Sequence, residues 1–185
     1  MNIVVYCGST PGCDPAFIQV ASALGIRIAD EGHTLVYGGG SVGMMGAIAD
    51  AALDGGADVI GVIPEFMFER EWAHPNVEKM IITKDMHERK QTMLDLGDVY
   101  VALAGGTGTL EEIVEAVSWS GLGLVQGPCY FLNTKGYYDH MQSFFEKIRA
   151  DGYMREDRNS KILFVDTIDE LFTELEDRMS RIKKE

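Results

Sequence analysis

Cysteine is scarce in this sequence and is not arranged as a disulfide framework. Cys7, Cys13 and Cys129 form neither a Cys-x-x-Cys pair nor an even set, which favours a reducing, cytoplasmic environment. Long apolar runs are missing too, since no stretch approaches the ~18 consecutive apolar residues of a membrane span. The N-terminus lacks a basic segment and begins directly with strand-like residues 2–7, so we expect no signal peptide.

Basic residues are also in short supply. The chain has 16 Lys and Arg against 29 Asp and Glu, a formal net charge of −13. Nucleic acids and anionic membranes attract positively charged surfaces, so we expect neither as a partner. A small anionic ligand can still bind where local basic groups and helix ends outweigh the overall field.

Short apolar segments alternate with amphipathic ones along all 185 residues. The predicted strands are residues 2–7, 33–37, 59–63, 77–83, 99–103, 129–132 and 162–165, and the predicted helices are residues 15–31, 43–55, 85–96, 110–119, 137–150 and a C-terminal segment. This alternation predicts an α/β fold with one doubly wound, Rossmann-like parallel sheet and helices on both faces. No linker or repeat divides the chain, so we expect residues 1–185 to form a single domain.

Three glycine-rich turns, at residues 7–10, 38–43 and 104–109, each follow a strand and precede a helix. Ligands of such sheets bind beyond the carboxyl ends of the strands. Glycine allows close backbone approach, and a helix start offers N–H groups to an anion. The turns therefore predict a phosphate-bearing ligand. We expect four residues of the first two turns to contact it, namely Gly8, Ser9, Gly40 and Ser41.

The second turn also fits two other patterns. Residues 38–43 match Gly-x-Gly-x-x-Gly, but they follow the second strand, and no acidic residue ends the next strand as a dinucleotide site requires. Residues 39–43 match Gly-x-Ser-x-Gly, the form of a nucleophile elbow. An acyl-hydrolase triad could then join Ser41 to Asp98 and His140, although Ser41 is equally suited to binding phosphate or capping a helix.

Two common sites are not indicated. The segment His87-Glu88-x-x-Gln91 lacks the second histidine of the zinc motif His-Glu-x-x-His. No Gly-Lys-Ser/Thr occurs, so the sequence has no P-loop for nucleoside triphosphates. We therefore expect no metal site.

Two adjacent glutamates follow the third glycine turn. Thr109 and Glu112 have the spacing of a capping box, in which threonine is the N-cap and glutamate occupies N3. Helical phase predicts a core stripe of Leu110, Ile113, Val114 and Val117, which would leave Glu112 facing away from the core. The start of a helix should hold the pKa of Glu112 low, so that it acts as an ionised base or cation stabiliser.

Arg89 and Lys90, in the preceding helix, are the basic residues that we expect to bind an anion. An adjacent basic pair is also common on the solvent-exposed face of a helix. Glu71 lies in the long connection at residues 65–76. Long ordered loops in compact domains often belong to sites, yet Glu71 also fits a surface charge.

Three of these segments together resemble the Lonely Guy (LOG) family. They are Tyr-Gly-Gly-Gly-Ser-Val-Gly-Met-Met-Gly at residues 37–46, Met-His-Glu-Arg-Lys at 86–90 and Gly-Gly-Thr-Gly-Thr-Leu-Glu-Glu at 105–112. The family comprises cytokinin riboside 5′-monophosphate phosphoribohydrolases, often mislabelled as lysine decarboxylases. The resemblance covers nearly the whole chain, in order and with the family's spacing.

The resemblance implies hydrolysis of the N-glycosidic bond of AMP or an N6-substituted AMP, giving free base and ribose 5-phosphate. It places the catalytic residues at Glu112 and Arg89. It places nucleotide-binding residues at Glu71, Lys90, Gly105, Gly106, Thr107, Gly108, Thr109, Leu110, Glu111 and Ser118. A broader nucleoside-monophosphate nucleosidase, or a non-catalytic carrier of a nucleotide or pterin-type cofactor, fits the same fold.

The family also suggests a homodimer, no metal and no redox cofactor. The apolar residues Val114, Val117 and Trp119 would suit such an interface, although core packing explains them as well. Two positions depart from the family pattern. Ala104 replaces a proline, which should loosen the turn slightly, and Thr107 replaces an aromatic residue common in the plant enzymes, which bears on the preference for a prenylated base.

Overall fold

Seven strands and seven α-helices make up the described part of the chain, residues 1–70, 72–154 and 162–182 of this computed structural model. The strands are β1 (Asn2–Tyr6), β2 (Thr34–Tyr37), β3 (Val59–Pro64), β4 (Lys79–Thr83), β5 (Val99–Ala102), β6 (Cys129–Leu132) and β7 (Ile162–Val165). The helices are α1 (Pro15–Asp30), α2 (Gly43–Asp54), α3 (Glu65–Phe68), α4 (Met86–Leu96), α5 (Thr107–Leu122), α6 (Asp139–Ala150) and α7 (Ile168–Ile182), with a 3₁₀ turn at Thr134–Gly136.

All strand neighbours in the sheet run parallel, in the order β4-β3-β2-β1-β5-β6-β7. The chain winds outward from β1 to β4 and then returns to place β5 on the other side of β1. This reversal creates a crevice at the carboxyl ends of β1 and β5, where open α/β sheets bind ligands. The predicted doubly wound parallel sheet is confirmed.

The core has two layers, one on each face of the sheet. Along β1, Ile3 and Val5 point into the layer that contains α1, α2 and α7, whereas Val4 and Tyr6 point into the layer that contains α4, α5 and α6. The strands are therefore apolar on both faces, as expected for a covered parallel sheet. Rigid packing on both sides fixes the edge at which the glycine turns emerge.

Several elements differ from the predicted bounds, and the differences at α5, α3 and β4 lie closest to the site or change an element. Helix α5 begins at Thr107 rather than at residue 110, because Gly106 is its N-cap in extended conformation. The short helix α3 lies at the start of the connection predicted as a loop. Strand β4 begins at Lys79 rather than at residue 77. Glycine and threonine at the start of α5 are typical of a turn, so the pattern placed the helix a turn too late.

Candidate functional site

The three glycine-rich turns meet at the carboxyl edge of the sheet. The Gly8 N–H donates to the Ala104 carbonyl at 3.1 Å, which joins the turn after β1 to the turn after β5. Gly43 has a φ of +62°, and a side chain there would collide with the backbone of Ser9 and Thr10. The turns after β1 and β2 are therefore in direct contact as well. This convergence agrees with the sequence-based expectation.

Helices α2 and α5 both begin at this edge without a side-chain cap. In contrast, Asp14 caps α1 and Asp85 caps α4 through side-chain oxygens. The first N–H groups of a helix have no partner within the helix. An anion bound between α2 and α5 would satisfy these groups and interact favourably with both helix dipoles.

Ser41 does not cap α2, whose N-cap is Val42. Both its N–H and its hydroxyl are directed at the Trp72 carbonyl, at 3.2 and 3.4 Å. Gly40 is buried and forms an isolated antiparallel bridge with Ala73. The second turn therefore holds the segment that follows α3. The prediction for Glu71 lies outside the described residues.

A buried ion pair links α4 to α5 beside these turns. Arg89 Nη1 donates to Glu112 Oε1 at 2.6 Å, and both side chains are about nine-tenths buried. The same guanidinium donates from Nε to the Val62 carbonyl at 3.0 Å and from Nη2 to the Gly38 carbonyl at 3.4 Å. Arg89 thus connects β3, the second glycine turn and α5.

The predictions of a capping box and of an outward-facing Glu112 are wrong. Gly106 is the N-cap of α5, no side-chain cap is present, and the Glu112 carboxylate binds Arg89 instead. Burial raises the pKa of Glu112, and the Arg89 cation only partly offsets that rise. The expectation of a low pKa is therefore wrong as well. A buried carboxylate with a raised pKa is typical of functional sites.

Lys90 lies beside this pair and is almost fully buried, so the alternative of a solvated basic pair is wrong. Its ammonium group donates to Glu111 at 2.6 Å and to Glu115 at 3.3 Å. The hydrogen bond to Glu111 is the main cause of a raised pKa for Lys90. Lys90 is therefore held as a cation between Glu111 and Glu115.

The other predicted residues of α5 are distributed along the helix. Gly105, Gly106, Thr107 and Gly108 form the turn and the helix start, Thr109 is buried, and Leu110 is half-buried. Ser118 is exposed and lines an apolar groove with Val114 and Leu122, away from the ion pair. Val114, predicted to be in the core, is 40% exposed.

The acyl-hydrolase alternative does not fit the structure. Asp98 precedes β5 and its carboxylate accepts the Asn2 N–H at 2.7 Å, so it lies at the amino edge of the sheet. Ser41 lies at the opposite, carboxyl edge. His140 is exposed on α6. The three residues cannot form a triad.

Sequence reasoning missed three residues that support the site. The Tyr137 hydroxyl donates to the Gly105 carbonyl at 2.5 Å and the Tyr138 hydroxyl donates to the Leu103 carbonyl at 2.6 Å, so both hold the turn after β5. His74 is buried behind the second turn. No local pattern could have identified them, because each contact joins elements that are distant in sequence.

The amino-acid sequence matches a known protein family and several of its members. A family model described as "Possible lysine decarboxylase" matches residues 45–175, more than half of the chain. The chain is 42% identical over 175 residues to a probable cytokinin riboside 5′-monophosphate phosphoribohydrolase of Oryza sativa subsp. japonica, covering 95% of this chain and 78% of the relative. It is 38% identical over 183 residues to the Arabidopsis thaliana cytokinin riboside 5′-monophosphate phosphoribohydrolase LOG1, covering 99% and 86%.

The chain belongs to the LOG family. A bacterial relative, the cytokinin riboside 5′-monophosphate phosphoribohydrolase of Rhodococcoides fascians, is 42% identical to this LOG chain over 163 residues, 88% of this chain and 82% of the relative. The family resemblance based on the three motifs is thereby confirmed.

Solved structures share the LOG fold at lower sequence identity. A molybdenum cofactor binding protein from Rippkaea orientalis has a TM-score of 0.75 and 22% identity over 96% of both chains. A Moco carrier protein from Chlamydomonas reinhardtii has a TM-score of 0.74 and 22% identity, covering 97% of this chain and 98% of that one. At this identity the likeness concerns the fold alone.

Within residues 1–70, 72–154 and 162–182, no three or more His, Cys, Asp or Glu side chains are grouped as metal ligands. No helix in this part of the chain is long and apolar enough to cross a membrane.

Proposed function

We propose that this chain hydrolyses the N-glycosidic bond of AMP or an N6-substituted AMP, giving the free base and ribose 5-phosphate. Glu112 and Arg89 are the catalytic residues of this proposal. The buried Arg89–Glu112 pair, placed beside two uncapped helix starts, is the observation that carries it. Relatives at about 40% identity over most of the chain, named for this reaction, support it.

The 5′-phosphate would bind the N–H groups at the starts of α2 and α5, with Gly8, Ser9 and the residues of the third turn around it. Binding of this remote group fixes the ribose next to Glu112. Departure of the base leaves an oxocarbenium-like sugar, as in glycoside hydrolysis. Water supplies the hydroxyl group that joins C1′, and the carboxylate accepts the water's proton while the C1′–N bond breaks and its electrons leave with the base. That proton then passes to the departing base, directly or through solvent, so the base leaves neutral and the carboxylate is restored.

The environment of Glu112 suits this role. A general base works best when its pKa lies near the working pH, and burial raises the pKa of Glu112 in that direction. Arg89 keeps the carboxylate oriented and partly ionised through its 2.6 Å contact. The ionised carboxylate also stabilises the positive charge that develops on the sugar.

Decarboxylation of lysine, the activity in the family model's description, is not supported by the site. A lysine that forms a Schiff base must lose its proton and act as a nucleophile. The hydrogen bond to Glu111 raises the pKa of Lys90 and so keeps this amine protonated. Lys90 is better suited to binding an anionic nucleotide.

The test is product analysis by chromatography with AMP and an N6-isopentenyl AMP as substrates. The wild type should release base and ribose 5-phosphate. Glu112→Gln should lower kcat by about 10²–10⁴-fold, the usual contribution of a general base, and should retain AMP binding by calorimetry. Glu176→Gln, at an exposed acid on α7, is the control for charge alone. Unchanged turnover in Glu112→Gln would refute the catalytic assignment, and binding without product in the wild type would indicate a carrier.

We also propose that the chain forms a homodimer through the apolar groove between α5 and α6. The groove has a volume of about 720 Å³, and its exposed apolar residues include Leu122, Phe144 and Tyr153. A contiguous exposed apolar surface of this kind is typical of protein interfaces. Ser118 lies in the same groove, so a nucleotide contact by Ser118 would have to be made next to the second copy.

Light scattering coupled to size-exclusion chromatography tests the dimer. The wild type should elute as a dimer, and Phe144→Glu should elute as a folded monomer, because a charge would be buried without a partner. Ile26→Glu, at an exposed apolar residue on α1, is the matched control and should remain dimeric. A monomeric wild type would refute this interface.

A cytoplasmic location is part of the same proposal. Cys7 and Cys129 are buried, Cys13 is exposed, and none of the three forms a disulfide within the described residues. Reduced cysteines persist in a reducing compartment. Cell fractionation with detection of the untagged protein tests the location.

A further inference from the structure

His74 is a buried imidazole on the segment between α3 and β4, outside the Arg89–Glu112 pair. Its Nε2 lies 3.1 Å from Asp50 Oδ1 on α2, and its Nδ1 accepts the Asn76 N–H at 3.3 Å. Because Nδ1 is an acceptor here, Nε2 carries the hydrogen and donates it to Asp50. Both ring nitrogens are engaged, so the ring has one orientation.

The backbone around His74 lies against the second glycine turn. The His74 N–H donates to the Gly39 carbonyl at 2.9 Å, and Ser41 donates to the Trp72 carbonyl at 3.2 Å. Gly40 and Ala73 form the antiparallel bridge between these two bonds. Residues 72–74 therefore act as a short strap along the turn that leads into α2.

The side chain of His74 attaches this strap to helix α2 as well. The backbone binds the turn, whereas the imidazole binds Asp50 two turns into α2, so together they fix the turn relative to the helix it starts. A cavity of about 580 Å³ lies next to the ring and is lined in part by Phe68 and Asn76. Packing alone does not fill this region, which leaves the hydrogen bonds to hold the strap in place.

The ring does not serve Ser41 as a base. The Ser41 hydroxyl is directed at the Trp72 carbonyl at 3.4 Å, and neither nitrogen of His74 is available to it. Asp50, His74 and Ser41 thus share a site without forming a nucleophilic triad.

We propose that His74 is a positioning residue for the phosphate site. It holds the second turn and the uncapped start of α2 in the conformation that receives the 5′-phosphate, acting through Asp50 and without touching the ligand. The inference rests on the proposed function, since that function places the phosphate between α2 and α5. It adds a residue whose removal should affect recognition of the phosphate and leave recognition of the base unchanged.

The experiment compares binding of AMP and adenosine by calorimetry in the full-length protein. His74→Leu keeps the size of the side chain but cannot bind Asp50, and it should weaken AMP binding about tenfold, as expected for a lost hydrogen bond to a charged group. Adenosine binding should change less than twofold. His74→Gln retains an N–H donor at a similar reach and should restore AMP binding to within about threefold.

Two further variants complete the test. Asp50→Ala removes the acceptor from the exposed side of the pair and should reproduce the selective loss even if His74→Leu fails to fold. His33→Leu, at a half-buried histidine before β2, is the matched control and should bind AMP as the wild type does.

The possible results separate the two proposals. Equal weakening of AMP and adenosine, or unchanged AMP binding in a folded His74→Leu, would overturn the role of His74. A wild type that binds AMP but releases no base would overturn the hydrolase and leave the His74 comparison valid. A wild type that does not bind AMP would overturn both.

Discussion

The buried ion pair predicts how stability depends on pH when its cation is removed. Arg89→Met keeps an unbranched side chain of similar length but leaves the Glu112 carboxylate about nine-tenths buried without a cation. Breaking a buried pair in this way typically costs 3–5 kcal/mol. The carboxyl group can limit that cost by taking up a proton on folding.

The size of this cost follows from the ordinary ionisation of glutamate. An unfolded glutamate has a pKa of about 4.3, and each pH unit above it costs about 1.4 kcal/mol to keep the proton. At pH 7 the folded Arg89→Met variant therefore loses about 3.7 kcal/mol through Glu112. The folded state binds a proton that the unfolded state releases, so stability falls as pH rises and recovers as pH falls toward 4.3.

The double variant Arg89→Met/Glu112→Gln isolates this effect. Both variants lose the hydrogen bonds from Arg89 to the Val62 and Gly38 carbonyls, so that loss cancels when they are compared. Only the single variant has a buried carboxyl group that titrates. The double variant should therefore be the more stable of the two at pH 7, although it carries more substitutions.

Urea unfolding at pH 5.5, 6.5 and 7.5, followed by circular dichroism at one protein concentration, measures the difference. The gap in the free energy of unfolding between the two variants should widen by about 1.4 kcal/mol for each pH unit. A gap that stays constant with pH, or a double variant less stable than Arg89→Met at pH 7, would refute the argument that burial of Glu112 without Arg89 makes it take up a proton on folding.

Three other predictions follow from the same site. The rate constant kcat/KM for AMP should rise with pH to a plateau, because Glu112 must be ionised to act as a base. The midpoint of this rise should lie above the ordinary pKa of glutamate, because burial raises the pKa of Glu112. A midpoint at or below about 4.3 in the pH profile would contradict this prediction. Gly38→Ala places a methyl group on the Arg89 guanidinium, so kcat should fall about 10- to 100-fold with less loss of stability than Arg89→Met, as measured by steady-state assay and urea unfolding. Gly106→Ala adds a methyl group in open space, so this variant should fold normally but bind AMP about tenfold more weakly. In Gly105→Ala the methyl group meets side-chain and backbone atoms, so this variant should lose about 1–3 kcal/mol of stability. Equal behaviour of the two variants in urea unfolding and in calorimetry would contradict the geometry of the turn.

The fold could be predicted from the sequence because its signals are local. The strands are short apolar runs, those that end at the site (β1, β2 and β5) lead into glycine-rich turns, and the longer helices show apolar residues at helical spacing. Right-handed crossovers and parallel pairing then bring the ends of β1, β2 and β5 to one edge. The contact between Gly43 and the first turn, and the contact between Gly8 and Ala104, follow from that topology.

The environment of Glu112 could not be predicted in the same way. Helical phase predicts that Glu112 lies opposite Ile113 and Val117, but α5 buries all three, because the pattern contains no information about which neighbouring elements cover the helix. In the folded protein Arg89 of α4 covers Glu112 and removes the carboxylate from water. The wrong prediction for the pKa of Glu112 has the same origin. The helix dipole, which lowers the pKa, can be inferred from α5 alone, whereas burial, which raises it, depends on the packing of a second helix.

The order of the charges on the two helices shows how the site is specified nonetheless. Arg89 and Lys90 are adjacent on α4, and they bind the adjacent acids of α5 in the opposite order, Arg89 with Glu112 and Lys90 with Glu111. Neighbours on a helix point about 100° apart, so each pair can be buried or exposed independently of the other. Both cations are buried, but three acceptors surround the planar guanidinium of arginine, whereas lysine pairs with an acid that is 58% exposed. The two adjacent residues therefore make two separate contacts: Arg89 orients the carboxylate proposed to act on the sugar, and Lys90 pairs with an acid at the surface.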